Sequence, residues 1–164
     1  EEYAQYLTQP MTLPKEISSA LMKVIEVKAK VVSDDERELN QRAILNFGHT
    51  LGHALEAALD DLVHGEAVSL GICFSLEWSA SFNGLSRVEV KRVESILKSL
   101  SLPTNWRDYL KSEVFEYLKH DKKVDHERLS FIVTPAFGRA KIEPVSVDLF
   151  CARLRHIAHS RSAL

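Results

Sequence analysis

The segment from His64 to Trp78 constrains the fold more than any other part of the chain, because it has the length of a helix and is apolar nearly all round. Its apolar positions are Ala67, Val68, Leu70, Ile72, Cys73, Phe74 and Leu76. A helix on the surface of a protein has a single apolar stripe, so a helix that is apolar on every side has to be surrounded by other elements. We therefore predict that this helix is central to the core.

Helical spacing of apolar residues marks other segments as well. The segments with this spacing are Ile17 to Val31, Gln41 to Leu59 and Ser86 to Leu100, and two shorter stretches follow Trp106 and end near His120. Glycine inside a helix costs about 1 kcal/mol relative to alanine, so the pair Gly48 and Gly52 indicates close approach of a backbone or a ligand.

The end of the chain has a different pattern. Leu129–Thr134 is typical of a strand, and Arg139–Pro144 of a partner strand after a short turn. Ser146 is a suitable N-cap for a last helix through Ile157. The predicted fold is mostly α: residues 1–164 form one multihelical domain with one small β-hairpin near the C-terminus.

Composition excludes several classes of function. The 164 residues include 21 Lys+Arg and 23 Asp+Glu, so the net charge of −2 creates no field that favours nucleic acid or an anionic membrane. The apolar stretches are shorter than the ~20 residues of a bilayer span. The two cysteines, Cys73 and Cys151, lie far apart, which is typical of a reducing compartment without disulfides. We expect a soluble, cytoplasmic domain, and because the first residue is not Met we expect it to be a piece of a longer protein.

Three of the seven histidines and four of the six glycines fall between Gly48 and Gly71. His49 and His53 are four residues apart, so on a helix they point the same way. His64 begins the next predicted helix, and an antiparallel return would bring it back toward the other two. Three imidazoles from two helices can form a zinc site. Histidines that are merely hydrogen-bonded in the core or at the surface are the alternative, and the spacing alone does not decide between the two.

Polar residues upstream extend this pattern. On one continuous helix, Glu38, Arg42 and Asn46 would descend the same face as the first two histidines toward a common site. The alternative for Glu38 and Arg42 is a solvated ion pair worth a few tenths of a kcal/mol. The pair Lys122 and Lys123 could bind an anion or lie in a solvated turn.

Two blocks of sequence carry a family resemblance. Residues 45–54 (LNFGHTLGHA) and 64–68 (HGEAV) resemble the C-terminal helical domain of the 3-dehydroquinate synthases, which belong with the sugar-phosphate cyclases and the iron-dependent alcohol dehydrogenases. Supporting matches lie at residues 28–32, 35–38, 42 and 121–123, in the order and at the spacing of the family.

The resemblance implies a reaction of the shikimate pathway, which leads to the aromatic amino acids. The family enzymes are carbon–oxygen lyases that convert 3-deoxy-D-arabino-heptulosonate 7-phosphate to 3-dehydroquinate and phosphate. They use NAD and a divalent metal, zinc or cobalt. A hydroxyl is oxidised transiently, phosphate is eliminated, the ketone is reduced again, and an intramolecular aldol reaction closes the ring.

By position, the resemblance implies that His49 and His64 are metal ligands and that His53 and Glu38 are acid–base groups. The substrate phosphate is an alternative base for the eliminated proton. The positions that match substrate-binding residues are Lys28, Arg42, Asn46 and one of Lys122 and Lys123.

The chain also departs from the family. The family's third metal ligand, a glutamate, and its glycine-rich NAD-binding domain have no counterpart in these 164 residues. The resemblance therefore implies that this chain is the metal- and substrate-binding domain, that its N-terminal NAD-binding domain lies outside it, and that the chain alone is inactive. It also implies a homodimer at full length, acting on a small phosphorylated keto acid.

Three alternatives remain open. Cyclases that make deoxy-scyllo-inosose or valiolone skeletons share the two-histidine block, but the inosose-forming group has an acidic residue where this chain has Asn46. Iron-dependent alcohol or glycerol dehydrogenases share the histidine spacing without the surrounding blocks. A non-enzymatic helical interaction domain with incidental histidines is the third alternative.

Overall fold

A computed structural model of the protein describes residues 15–35, 41–120 and 128–160. They form two compact units, a first unit that ends at Arg42 and a second unit that begins at Ala43. In the first unit, helix α1 (Lys15–Asp34) confirms the helix predicted from Ile17 to Val31. Across the described ranges, no helix combines the length and the hydropathy that a membrane span requires.

The second unit contains five α-helices and a hairpin within its described residues. The helices are α2 (His49–Ala58), α3 (His64–Phe82), α4 (Arg87–Ser99), α5 (Ser112–His120) and α6 (Val147–His159). The strands are β1 (Arg128–Ala136) and β2 (Arg139–Ser146), and two 3-10 helices occupy Gln41–Asn46 and Trp106–Tyr109. This architecture confirms the predicted fold class, mostly α with one hairpin near the C-terminus.

Helix α3 occupies the centre of the second unit, as its all-round apolar sequence predicted. Eleven of its nineteen residues are buried. It packs against α2, α4, α6 and β1. At its far end, Phe74 and Trp78 meet Trp106, Phe131 and Phe150, with ring centroids 4.6–6.0 Å apart in the closest pairs. This aromatic cluster joins four separate elements into one core.

The hairpin is antiparallel, with Arg128 opposite Ser146 and Val133 opposite Lys141. The side chains of Leu129, Phe131 and Val133 on β1 are buried in the core that contains the aromatic cluster, whereas Arg128 and Ser130 are exposed on the other face. After β2, the Ser146 hydroxyl accepts a hydrogen bond from the backbone N–H of Leu149, which confirms the predicted cap of the last helix.

An ion pair between buried Glu77 and partly buried Arg107 links α3 to the second 3-10 helix. The Glu77 carboxylate accepts two hydrogen bonds from the Arg107 guanidinium, at 2.8 and 2.6 Å, and a third from Trp106 Nε1 at 2.9 Å. This hydrogen bonding raises the pKa of Arg107. Burial, and then the Glu77 charge, raise the pKa of the Glu94 carboxyl. Burial is also the main cause that raises the pKa of the Cys73 thiol to about 12, and Cys73 and Cys151 are both free, as predicted.

The prediction of one continuous helix from Gln41 to Leu59 is wrong. The segment from Gln41 to Leu59 is not a single helix, because a 3-10 helix ends at Asn46 and α2 begins only at His49. Between them Gly48 has φ +83°, a left-handed conformation that side chains with a Cβ rarely adopt. Arg42 and Asn46 therefore do not continue the α2 face that carries the histidines.

Candidate metal and substrate site

Three histidines of α2 and α3 lie close together. His49 and His53 lie one turn apart on α2, and His64 is the first residue of α3. The ring centroids are 5.3 Å apart for His49 and His53, 5.7 Å for His49 and His64, and 5.9 Å for His53 and His64. The antiparallel return predicted from the sequence therefore brings all three imidazoles together.

Glycines allow the two helices to approach closely enough for this convergence. A Cβ on Gly71 would lie 1.9 Å from the carbonyl oxygen of Gly48, and a Cβ on Gly52 would lie 3.2 Å from the backbone of Ala67 and Val68. The predicted close approach at Gly48 and Gly52 is thus an approach of backbones. Because Gly48 lies against Gly71 and Gly52 lies against Ala67, the two helices run antiparallel.

Hydrogen bonds orient two of the three rings. Nδ1 of His64 lies 2.9 Å from Oε2 of Glu56 in the last turn of α2. Nδ1 of His49 lies 3.3 Å from the carbonyl oxygen of Phe47. A carboxylate and a carbonyl only accept hydrogen bonds, so each Nδ1 carries the proton, and in the neutral ring each Nε2 has a free lone pair. Among the described residues, His53 has no such bond.

The chemistry of this cluster suits a divalent transition metal. Imidazole nitrogens and carboxylate oxygens are the ligands that zinc and cobalt accept. One donor atom from each of His53, Glu56 and His64 also lies within 4.8 Å of the other two, so a second choice of ligands exists beside His49 and His64. Neutral rings with an anchored Nδ1 and a free Nε2 are the usual form of histidine ligands.

A cleft of about 340 Å³ adjoins the histidines. Its walls come from the first 3-10 helix, α2, α5 and β1. The polar residues that line it include Asn46, His49, Thr50, His53, Arg128 and Ser130. Metal-capable imidazoles beside an open cleft with a guanidinium on its wall could receive a small anionic molecule.

The structure places the remaining predicted residues as follows. Lys28 is exposed on α1 and Arg42 is half-buried, both in the first unit. The backbone N–H of Arg42 donates to the Asp35 carboxylate at 3.1 Å. Three predicted site residues, Glu38, Lys122 and Lys123, lie outside the described residues.

Three residues of the cluster and the cleft, Glu56, Arg128 and Ser130, were not predicted from the sequence. Glu56 follows His53 by three positions, so helical spacing could have indicated it. Arg128 and Ser130 alternate on the exposed face of β1, but only the packing of the hairpin near α2 shows that this face lines the cleft.

Comparison with known proteins agrees with the resemblance read from the sequence. The family model described as 3-dehydroquinate synthase C-terminal matches residues 2–124. The chain is 38% identical to the 3-dehydroquinate synthase of Idiomarina loihiensis over 149 residues, which are 87% of this chain and 40% of that protein. It is 44% identical to the enzyme of Rhizobium meliloti over 124 residues, 70% of this chain and 33% of that protein. The chain thus spans about two-fifths or less of the length of these relatives.

Solved structures share the fold. A 2-deoxy-scyllo-inosose synthase, complexed with carbaglucose-6-phosphate, NAD+ and Co2+, matches with a TM-score of 0.66 and 24% identity, covering 87% of this chain and 41% of that one. The 2-epi-5-epi-valiolone synthase of Streptomyces hygroscopicus, with NAD+ and Zn2+ bound, matches with a TM-score of 0.66 and 20% identity. The match covers 98% of this chain and 45% of that one. The family match over residues 2–124 and the identity to curated relatives show that this chain belongs to the family of 3-dehydroquinate synthase C-terminal domains.

Proposed function

We propose that this chain is the metal- and substrate-binding part of a 3-dehydroquinate synthase. The enzyme would be a carbon–oxygen lyase that converts 3-deoxy-D-arabino-heptulosonate 7-phosphate to 3-dehydroquinate and phosphate in the shikimate pathway. The observation that carries the proposal is the convergence of His49, His53 and His64, with ring centroids within 6 Å of one another, beside an open cleft. The two free cysteines suit the reducing cytoplasm, where we expect the enzyme to act.

We assign His49 and His64 as metal ligands through Nε2. Both rings have Nδ1 bonded to an acceptor, which leaves the Nε2 lone pair for a metal. The third ligand of the family, a glutamate, would come from outside this chain. When bound, the metal would polarise the hydroxyl that is oxidised, and NAD would take up and return the hydride.

His53 has a different role in this proposal. Its ring lies 5.3 Å from His49 and lines the cleft, and it has no hydrogen-bond acceptor among the described residues. A ring in this position is suited to exchange a proton with a substrate in the cleft. Glu38 is the second proposed acid–base group, and the substrate phosphate remains the alternative base.

Substrate binding falls to the cationic and amide groups. Asn46 lines the cleft, and its amide can hydrogen-bond to a hydroxyl or a phosphate oxygen. Lys28, Arg42 and one of Lys122 and Lys123 are proposed contacts to the carboxylate and phosphate of the substrate.

The NAD-binding domain would belong to the full-length protein, which we expect to be a homodimer. The isolated chain should release no phosphate from the substrate, because the hydride acceptor and the third metal ligand would both be missing. The full-length protein with zinc and NAD should release phosphate and form 3-dehydroquinate.

A phosphate-release assay tests this proposal. Full-length protein and the 164-residue chain are assayed with the seven-carbon substrate, and with a hexose 6-phosphate to detect an inosose-forming activity. The proposal is supported if the full-length protein turns over the seven-carbon substrate and the 164-residue chain does not. Turnover by the isolated chain, or turnover only of the hexose 6-phosphate, contradicts it.

A further inference from the structure

Glu56 joins the two helices of the histidine cluster directly. Its carboxylate lies in the last turn of α2, and its Oε2 is 2.9 Å from Nδ1 of His64 at the start of α3. The side chains are 38% and 54% exposed, so neither is held in place by burial alone. The hydrogen bond is therefore a directional restraint on the rotation of the His64 ring.

We propose that Glu56 is a positioning residue that holds the His64 ring with Nε2 turned toward the metal. The inference rests on the proposed function, because it takes His64 as a ligand. A carboxylate accepts hydrogen bonds and donates none, so it keeps the proton of the neutral ring on Nδ1. The same contact fixes the ring plane, and an ordered ring loses less freedom when a metal binds.

The competing role for Glu56 is direct ligation of the metal, since it belongs to the group formed with His53 and His64. Tetrahedral zinc with bonds of about 2.0–2.1 Å requires donor atoms on the order of 3–3.5 Å apart. The donor atoms of this group all lie within 4.8 Å of one another, so direct ligation is a role that the experiment has to separate from positioning. The hydrogen bond to His64 is already formed, which favours the positioning role.

Cobalt titration of the full-length protein tests the inference. Co2+ serves as the probe because its visible absorption reports both the affinity and the geometry of the site. The variants are Glu56→Ala, which removes the acceptor, Glu56→Gln, which retains an amide oxygen of the same reach, and His64→Ala. Asp60→Asn is the matched control, because it removes an exposed acid from the loop between the same two helices. Thermal unfolding of each variant confirms that it is folded.

We expect Glu56→Ala to bind Co2+ about 10- to 100-fold more weakly and with an altered visible spectrum. Glu56→Gln should lose less affinity and keep the wild-type spectrum, and Asp60→Asn should match the wild type. Should Glu56→Ala fail to fold, the Co2+ affinity of Glu56→Gln relative to that of His64→Ala still decides the role of Glu56.

Other results overturn the inference. If Glu56→Ala binds Co2+ like the wild type while His64→Ala does not, Glu56 has no positioning role although the proposed metal site stands. If Glu56→Gln loses Co2+ as completely as His64→Ala, Glu56 is itself a ligand. A wild-type protein that binds no Co2+, or a His64→Ala variant that binds it normally, contradicts the proposed function and this inference with it.

Discussion

The contact between Gly71 and Gly48 allows a stability prediction with a matched control. A Cβ at position 71 would lie 1.9 Å from the Gly48 carbonyl oxygen and 2.9 Å from Gly52 N, whereas ordinary contacts are 3.4–4 Å. The obstacle is backbone, so Gly71→Ala must push α2 away from α3 by more than 1 Å. Overpacking of this kind costs about 3 kcal/mol or more, and the better helix propensity of alanine returns about 1 kcal/mol. The free energy of unfolding should therefore fall by about 2 kcal/mol or more.

Urea unfolding of the chain measures this effect, and Gly65→Ala is the control. A Cβ at Gly65, on the same helix, would have no neighbour within 4 Å, so alanine there should raise the stability by up to about 1 kcal/mol. In the full-length protein, Gly71→Ala should also weaken metal binding, because it moves His64 away from His49. Equal stability of the Gly71→Ala variant and the wild type would refute the close approach of the two helices.

Three further predictions concern other parts of the structure. Arg107→Ala should lower the free energy of unfolding by about 3 kcal/mol, because it leaves the buried Glu77 carboxylate without its cation. Urea unfolding measures this loss, and an unchanged urea midpoint would contradict the prediction. Burial raises the pKa of Glu94 in the folded state, so its ionisation opposes folding, and Glu94→Gln should raise Tm at pH 7; the gain should disappear at a pH below the unfolded-state pKa of about 4.5. In the full-length enzyme, Arg128→Ala should raise KM for the phosphorylated substrate because Arg128 lines the cleft, whereas Arg139→Ala near the hairpin turn should leave KM unchanged.

The elements that the sequence predicted well are those whose patterns are set by burial. The all-round apolar pattern of α3 has one physical solution, which is a position inside the core. The first strand of the hairpin is a short apolar run, and a turn with Gly138, which has φ +77°, separates it from the second strand. These features are local or follow directly from burial, so a single sequence is sufficient to find them.

The break before α2 could not be predicted in the same way. Arg42, Asn46 and His49 repeat at intervals that also fit an α-helix, and a glycine at position 48 is compatible with a helix interior or with its start. The left-handed conformation of Gly48 depends on its contact with Gly71, which lies twenty-three residues later in the chain. Tertiary contact therefore decides the local structure at this point.

Only part of the candidate site could be predicted, because its remaining residues are brought in by tertiary contacts. The histidines share one short stretch of sequence whose spacing allows an antiparallel return, and their ring centroids do lie within 6 Å of one another. Arg128 reaches the cleft from a strand that is far away in sequence. No periodicity within one element reports such a contact. The roles of the individual histidines stay predictions.

The metal content of three histidine variants distinguishes the proposed ligands, His49 and His64, from His53. His49→Ala, His64→Ala and His53→Ala are made in the full-length protein, purified without chelator, and analysed for zinc and cobalt by mass spectrometry. We predict that His49→Ala and His64→Ala lose the metal, while His53→Ala keeps it and loses turnover. A metal-free His53→Ala variant beside a metal-loaded His49→Ala variant would contradict the assignment and would place the metal among His53, Glu56 and His64 instead.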